Sequence, residues 1–179
     1  QSLVFADERT ALVANTVTNF SSELQQFRMK LRSTFFNPKQ QVLKNEHQIL
    51  IPMDDGSVFC ITMPSQQFEL HTDSTGYSVF FSQEYSLKPG ETMNFQLAES
   101  YFFSNSELTS WKQKLDGYLA NPERVMIANT QRWNGYLSKL IENGNEYLDT
   151  AMNKCLAVKS IETLVSNWRS PAGALRHNG

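Results

Sequence analysis

Acid–base chemistry needs carboxylates, and this chain carries them in two settings. Asp54 and Asp55 are adjacent in Met53-Asp54-Asp55-Gly56. Neighbouring side chains at a tight turn face different ways, so this pair reads as turn residues rather than as an acid facing a base. Glu142, Glu146, Asp149 and Glu162 fall in segments of helical period, on solvated faces. The histidines, His47, His71 and His177, have no metal-ligand spacing with one another or with Cys60 or Cys155. No Gly-rich phosphate loop, nucleophile elbow or zinc motif is present in the sequence. No catalytic residue, metal site or cofactor is therefore assigned. The two cysteines sit far apart in segments of different type and read as free buried thiols, with a disulfide as the second option.

The C-terminal corner is a different kind of feature. Asn167-Trp168-Arg169-Ser170-Pro171-Ala172-Gly173 ends a helical segment. An indole beside a cation and a backbone turn suits the apolar face of a pyranose. Trp168 beside Arg169, with Pro171 fixing the exit, is thus a candidate sugar platform. The competing role for the same residues is structural, with Trp168 packed on a neighbouring element and Arg169 paired with a carboxylate.

Two halves of different period must position these groups. Thr10–Asn19 is β-branched and loosely alternating. Gln25–Arg32 alternates strictly, placing Phe27, Met29 and Leu31 on one face. Gln48–Pro52 and Ser57–Met63 flank the Asp-Gly turn, and Gln67–His71 and Tyr77–Ser82 flank Asp73-Ser74-Thr75-Gly76. Lys88-Pro89-Gly90 precedes a last strand from Thr92 to Phe103. Seven or eight mostly antiparallel strands at this spacing predict a β-sandwich.

After Ser104 the period becomes helical. Ser104 and Glu107 have the spacing of a capping box, in which each side chain takes the other residue's free backbone N–H. Leu108, Trp111, Leu115 and Tyr118 form one stripe. Asn121-Pro122 opens a second helix with Val125, Ala128, Trp133, Tyr136, Leu137, Leu140 and Ile141 inward, broken at Gly144. A third helix is expected over about 146–167, ended by Pro171. The reading is α+β: an antiparallel sandwich over 1–104 followed by a helical region over 105–179.

Composition narrows the partners. A net charge of −2 without a basic block argues against nucleic acid. No apolar run approaches the ~20 residues of a membrane span. Twelve Phe, six Tyr and three Trp suit a sheet layer or a sugar-binding surface. Gln1–Phe5 lacks the basic start of a signal peptide.

Ala157–Leu164, the Trp-Arg-Ser-Pro-x-Gly corner and Gln131-Arg132-Trp133-x-x-Tyr136-Leu137 together resemble glycoside hydrolase family sixty-three. This is the family of mannosyl-oligosaccharide glucosidases and their bacterial α-glucosidase relatives. The likeness lies in the helical half, 106–179, with the strand half agreeing in pattern only. Ala172 stands where the family's corner has a Gly.

The resemblance implies the end of an N-terminal sandwich, then the first helices of an (α/α) toroid. It implies an exo-acting, inverting α-glucosidase with an oligosaccharide or glucoside substrate and no cofactor. Through the resemblance Ser170 joins Trp168, Arg169 and Pro171 as a candidate substrate-side residue. The family's acid Asp and base Glu lie past the corner and match no residue here. The chain by itself is therefore expected to be inactive, and prone to self-association through truncated surfaces. A bacterial parent would be periplasmic or secreted. The alternative reading is a non-catalytic carbohydrate-binding or structural β-sandwich module.

Overall fold

The computed structural model describes residues 1–35, 40–64, 67–141, 155–156, 158–160, 168–169 and 174–175. Nine strands come first: β1 Ser2–Phe5, β2 Thr10–Thr18, β3 Gln25–Thr34, β4 Leu43–Asn45, β5 Gln48–Pro52, β6 Val58–Thr62, β7 Phe68–Thr72, β8 Gly76–Leu87 and β9 Thr92–Phe102. Helices α1 Asn105–Ala120 and α2 Pro122–Ile141 follow. Two-residue strands β10 Trp168–Arg169 and β11 Ala174–Leu175 lie near the C-terminus.

The first nine strands form two antiparallel sheets, one of six strands in the order β1-β2-β9-β6-β5-β4 and one of three in the order β3-β8-β7. Alternation along each strand decides what the sheets bury. Val13, Ile49, Ile51, Ile61, Phe95 and Leu97 of the larger sheet meet Phe68, Tyr77, Val79 and Phe81 of the smaller, with Met29 and Leu31 packed alongside. Sheet-on-sheet packing of this kind makes a sandwich.

The other face of the larger sheet is buried too. Val58, Cys60 and Phe102 pack against Leu108 and Leu115 of α1, and the Trp111 ring stands at an edge to Phe102, centroids 5.6 Å apart. Leu12 and Ala98 pack with Val125, Tyr118 and Leu119. The first unit is thus three layers: small sheet, large sheet, helix.

Local chemistry explains where elements begin and end. Gly56 takes φ +83°, the left-handed conformation the Asp-Gly turn between β5 and β6 demands, and its N–H donates to the Met53 carbonyl (3.0 Å). Gly76 opens β8 where a Cβ would lie 2.0 Å from the Ser33 carbonyl oxygen, so no larger residue fits the approach to β3. Ser104 caps α1 by accepting the Glu107 N–H (3.2 Å). The return bond differs from the expected box. Glu107 accepts the N–H of Phe103, not of Ser104 (2.7 Å), while its other oxygen holds the Arg9 guanidinium (2.9 Å).

Polar groups fix the helix layer at two places. Asp7 Oδ1 accepts the N–H groups of Arg9 and Thr10, and its Oδ2 accepts from the Tyr118 hydroxyl and pairs with Lys114. At the other end Lys112 pairs with Glu46 (2.6 Å) and His47 with Asp116 (3.0 Å).

These contacts move the edge of the compact unit. The change of period does fall at Ser104, but the first unit extends from Gln1 to Val125 and the second from Met126 to Gly179. Helix α1 is a layer of the sandwich unit, because its apolar stripe is buried on the sheet. The strand count also exceeds expectation, at nine in the first unit. The additions are the short strands β1 and β4, at the two edges of the large sheet. In the second unit, residues 155, 156 and 158–160 are helical. The rest of the expected third helix, and Gly144, lie outside the described residues.

Candidate functional site

The corner residues are described only in part. Trp168 and Arg169 form β10, whose register pairs Trp168 with Leu175 and Arg169 with Ala174. Pro171 and Gly173 suggested a helix stop, whereas the flanking residues make a short antiparallel ladder that periodicity did not signal. Ser170 and Pro171 lie outside the described residues, as do Glu142, Glu146, Asp149, Glu162 and His177.

The remaining candidates take structural roles. Asp55 Oδ1 accepts the N–H and hydroxyl of Ser57 (3.0 and 2.5 Å), and these bonds hold its carboxyl below the usual range. Asp73 does the same work one turn later, accepting from Thr75 and Gly76. Both are Asx turns that order a connection. Cys60 and Cys155 are free, as expected, but only Cys60 is buried; Cys155 is exposed. Burial pushes the Cys60 thiol up to about 11, so it stays protonated and unreactive near neutrality. Among the described residues no group of three or more His, Cys, Asp or Glu stands close enough to hold a metal ion. Among them too, no helix is long and apolar enough to cross a membrane.

A concavity lies elsewhere, on the three-stranded sheet. It is an open groove of about 660 Å³. It lies beside a fault in the β3–β8 ladder. Arg28 pairs with Glu84 and Lys30 with Phe80, so one residue of β3 faces three of β8. Extra residues on one strand bend and twist the sheet, and such irregularities recur beside binding sites. Here Phe80, Phe81 and Ser82, which stand at the irregularity, line the groove.

Register then aligns side chains across the face. Lys30, Phe80 and Glu69 share one row, and Arg32, Ser78 and His71 share the next. The Phe80 ring is 39% exposed, although Phe81 beside it is buried. The Lys30 ammonium stands 4.5 Å from the Phe80 centroid, and the His71 ring meets Phe80 edge-on at 5.1 Å. His71 Nε2 donates to Glu69 Oε2 (3.2 Å). The groove is lined by Phe80 together with Arg28, Glu69, His71, Ser78 and Ser82.

Such a face can stack one apolar surface, accept hydrogen bonds at a carboxylate and donate them from guanidinium, imidazole and hydroxyl groups. It holds no acid facing a base across a cleft, since Glu69 is already bonded to His71. None of these residues stood out as a site in the sequence. The available signal was alternation: Tyr77, Val79 and Phe81 point inward, which leaves Phe80 as the lone aromatic on the Ser78 and Ser82 side.

No known protein-family model matches this chain.

Proposed function

We propose that this chain is a non-catalytic part of a glycoside hydrolase similar to the inverting exo-α-glucosidases of family sixty-three. It would comprise the sandwich and the helical approach to an (α/α) catalytic toroid. The observation that carries the reading is the Asn167–Gly173 corner in its order along the chain: antiparallel sandwich, α1, α2, then Trp-Arg-Ser-Pro-x-Gly. On this reading the sandwich braces the catalytic helices and supplies neither acid nor base. In the first unit Asp55 and Asp73 serve turns. Trp168, Arg169, Ser170 and Pro171 would stand at the barrel mouth.

Two measurements test this. The gene downstream of the Gly179 codon should encode a Trp-x-Trp-Asp segment and the missing pair of carboxylates. The complete product should release glucose from the non-reducing end of α-glucosyl oligosaccharides as the β-anomer, which NMR distinguishes directly. A downstream sequence without these features, or a product inert toward α-glucosides, would refute the proposal. The 179-residue chain alone should release no glucose from an aryl α-glucoside.

A further inference from the structure

We infer that the groove on the β3-β8-β7 sheet is a binding site for a neutral oligosaccharide, seated on Phe80 and separate from any catalytic centre. The sandwich surface would then hold a glycan while chemistry proceeds elsewhere.

The argument begins with what the face excludes. An apolar peptide or lipid surface needs contiguous apolar area, but Phe80 is the only aromatic in its two rows, between Lys30 and Glu69 and above Ser78. Arg28, Lys30 and Arg32 do set three cations along β3, but Glu69 and Asp73 line the same groove and Glu84 stands opposite Arg28, so the face is of mixed charge and selects no polyanion. A cation needs several converging oxygens, and Asp73, the other carboxylate in the lining, already accepts three hydrogen bonds within its own turn.

A neutral, polyhydroxylated ring meets each feature. Its C–H face stacks on the half-exposed Phe80 ring, with the Lys30 ammonium that now stands 4.5 Å from the ring centroid moving aside to donate to a hydroxyl. Its hydroxyls donate to Glu69, whose Oε1 is bonded to nothing among the described residues, and accept from Arg28, Ser78 and Ser82. The His71–Glu69 bond holds the carboxylate at the edge of the platform, and the His71 ring braces Phe80 from the side. The groove volume of about 660 Å³ falls within the ~300–1,000 Å³ of small-molecule sites. The sheet irregularity lies alongside this site, since Met29, Phe81 and Ser82 all line the groove.

The site itself stands on this geometry. That its sugar is made of α-linked glucose units rests on the proposed function. The experiment therefore separates the two. The 179-residue chain, labelled with ¹⁵N, is titrated with maltotriose, with cellotriose and with chitotriose while its amide resonances are followed. Saturable shifts are expected with maltotriose at Glu69, His71, Ser78, Phe80 and Ser82. Phe80→Ala should weaken binding by at least about tenfold, and Glu69→Gln by a smaller factor. Phe80 is partly exposed, so its loss leaves the core intact, and the dispersed amide spectrum verifies the fold of each variant. If no sugar gives saturable shifts, or if Phe80→Ala binds as well as the parent, the site is refuted. Binding of cellotriose or chitotriose at these residues without maltotriose would support the site and overturn the α-glucosyl assignment.

Discussion

Leu115 offers the sharpest test of the three-layer unit. It is fully buried on α1, between the helix and Val58, Cys60 and Phe102 of the large sheet. Leu115→Ala removes three carbons, about 2.4 kcal/mol at roughly 0.8 kcal/mol per buried methylene. A residual cavity of roughly 40 Å³ would add about 1 kcal/mol, at ~24 cal/mol per Å³. The total is about 3.4 kcal/mol. For a chain of this size each kcal/mol lowers Tm by ~2–4 °C, so a drop of roughly 7–14 °C is expected.

The assay is urea unfolding followed by far-UV circular dichroism and by the near-UV aromatic signal. Both transitions should shift together, because helix and sheet share one core. Ile127→Ala, at an exposed position of α2, is the control and should change stability by less than about 0.5 kcal/mol. A Leu115→Ala cost below about 1 kcal/mol would refute the reasoning.

Two further outcomes follow from titratable groups. Burial raises the Glu99 carboxyl above its ordinary 4.5, so the folded chain holds this proton more tightly than the unfolded one. Stability from this residue is full at low pH and falls as pH rises from 4.5 through the higher folded-state value. Glu99→Gln should therefore be the more stable protein at pH 7, with its advantage shrinking toward pH 4; an advantage that grows on acidification would contradict the burial argument. With Ellman's reagent, the native chain should react promptly at one thiol, Cys155, and at Cys60 only after unfolding; two prompt thiols would place Cys60 outside the core.

Much of the fold was legible because period and turn chemistry are local. Alternation at Phe27, Met29 and Leu31 marked β3, the Asp-Gly pair marked the β5–β6 turn, and Ser104 marked the start of α1. Each signal depends on φ and ψ preferences or on a hydrogen bond within a few residues. The edge strands β1 and β4 escaped because an edge strand buries little. Leu3, Phe5 and Leu43 are exposed, so no inward face disciplines their pattern.

Tertiary pairing decided the rest. Strand composition does not say that β2 joins β9 while β3 joins β8, because partners are chosen by long-range packing. Nor does a helical stripe say which surface will cover it; only the assembled sheet showed that Leu108 and Leu115 belong to the sandwich. The groove is the clearest case. Val79-Phe80-Phe81 is a plain apolar run in sequence. A one-residue change of register would have sent Phe80 inward and Phe81 to the surface. By itself, then, the sequence determined the order and type of the long elements and the candidate corner at Trp168. The tertiary structure decided which aromatic faces solvent and which residues of neighbouring strands stand beside it, since those depend on register between residues dozens of positions apart.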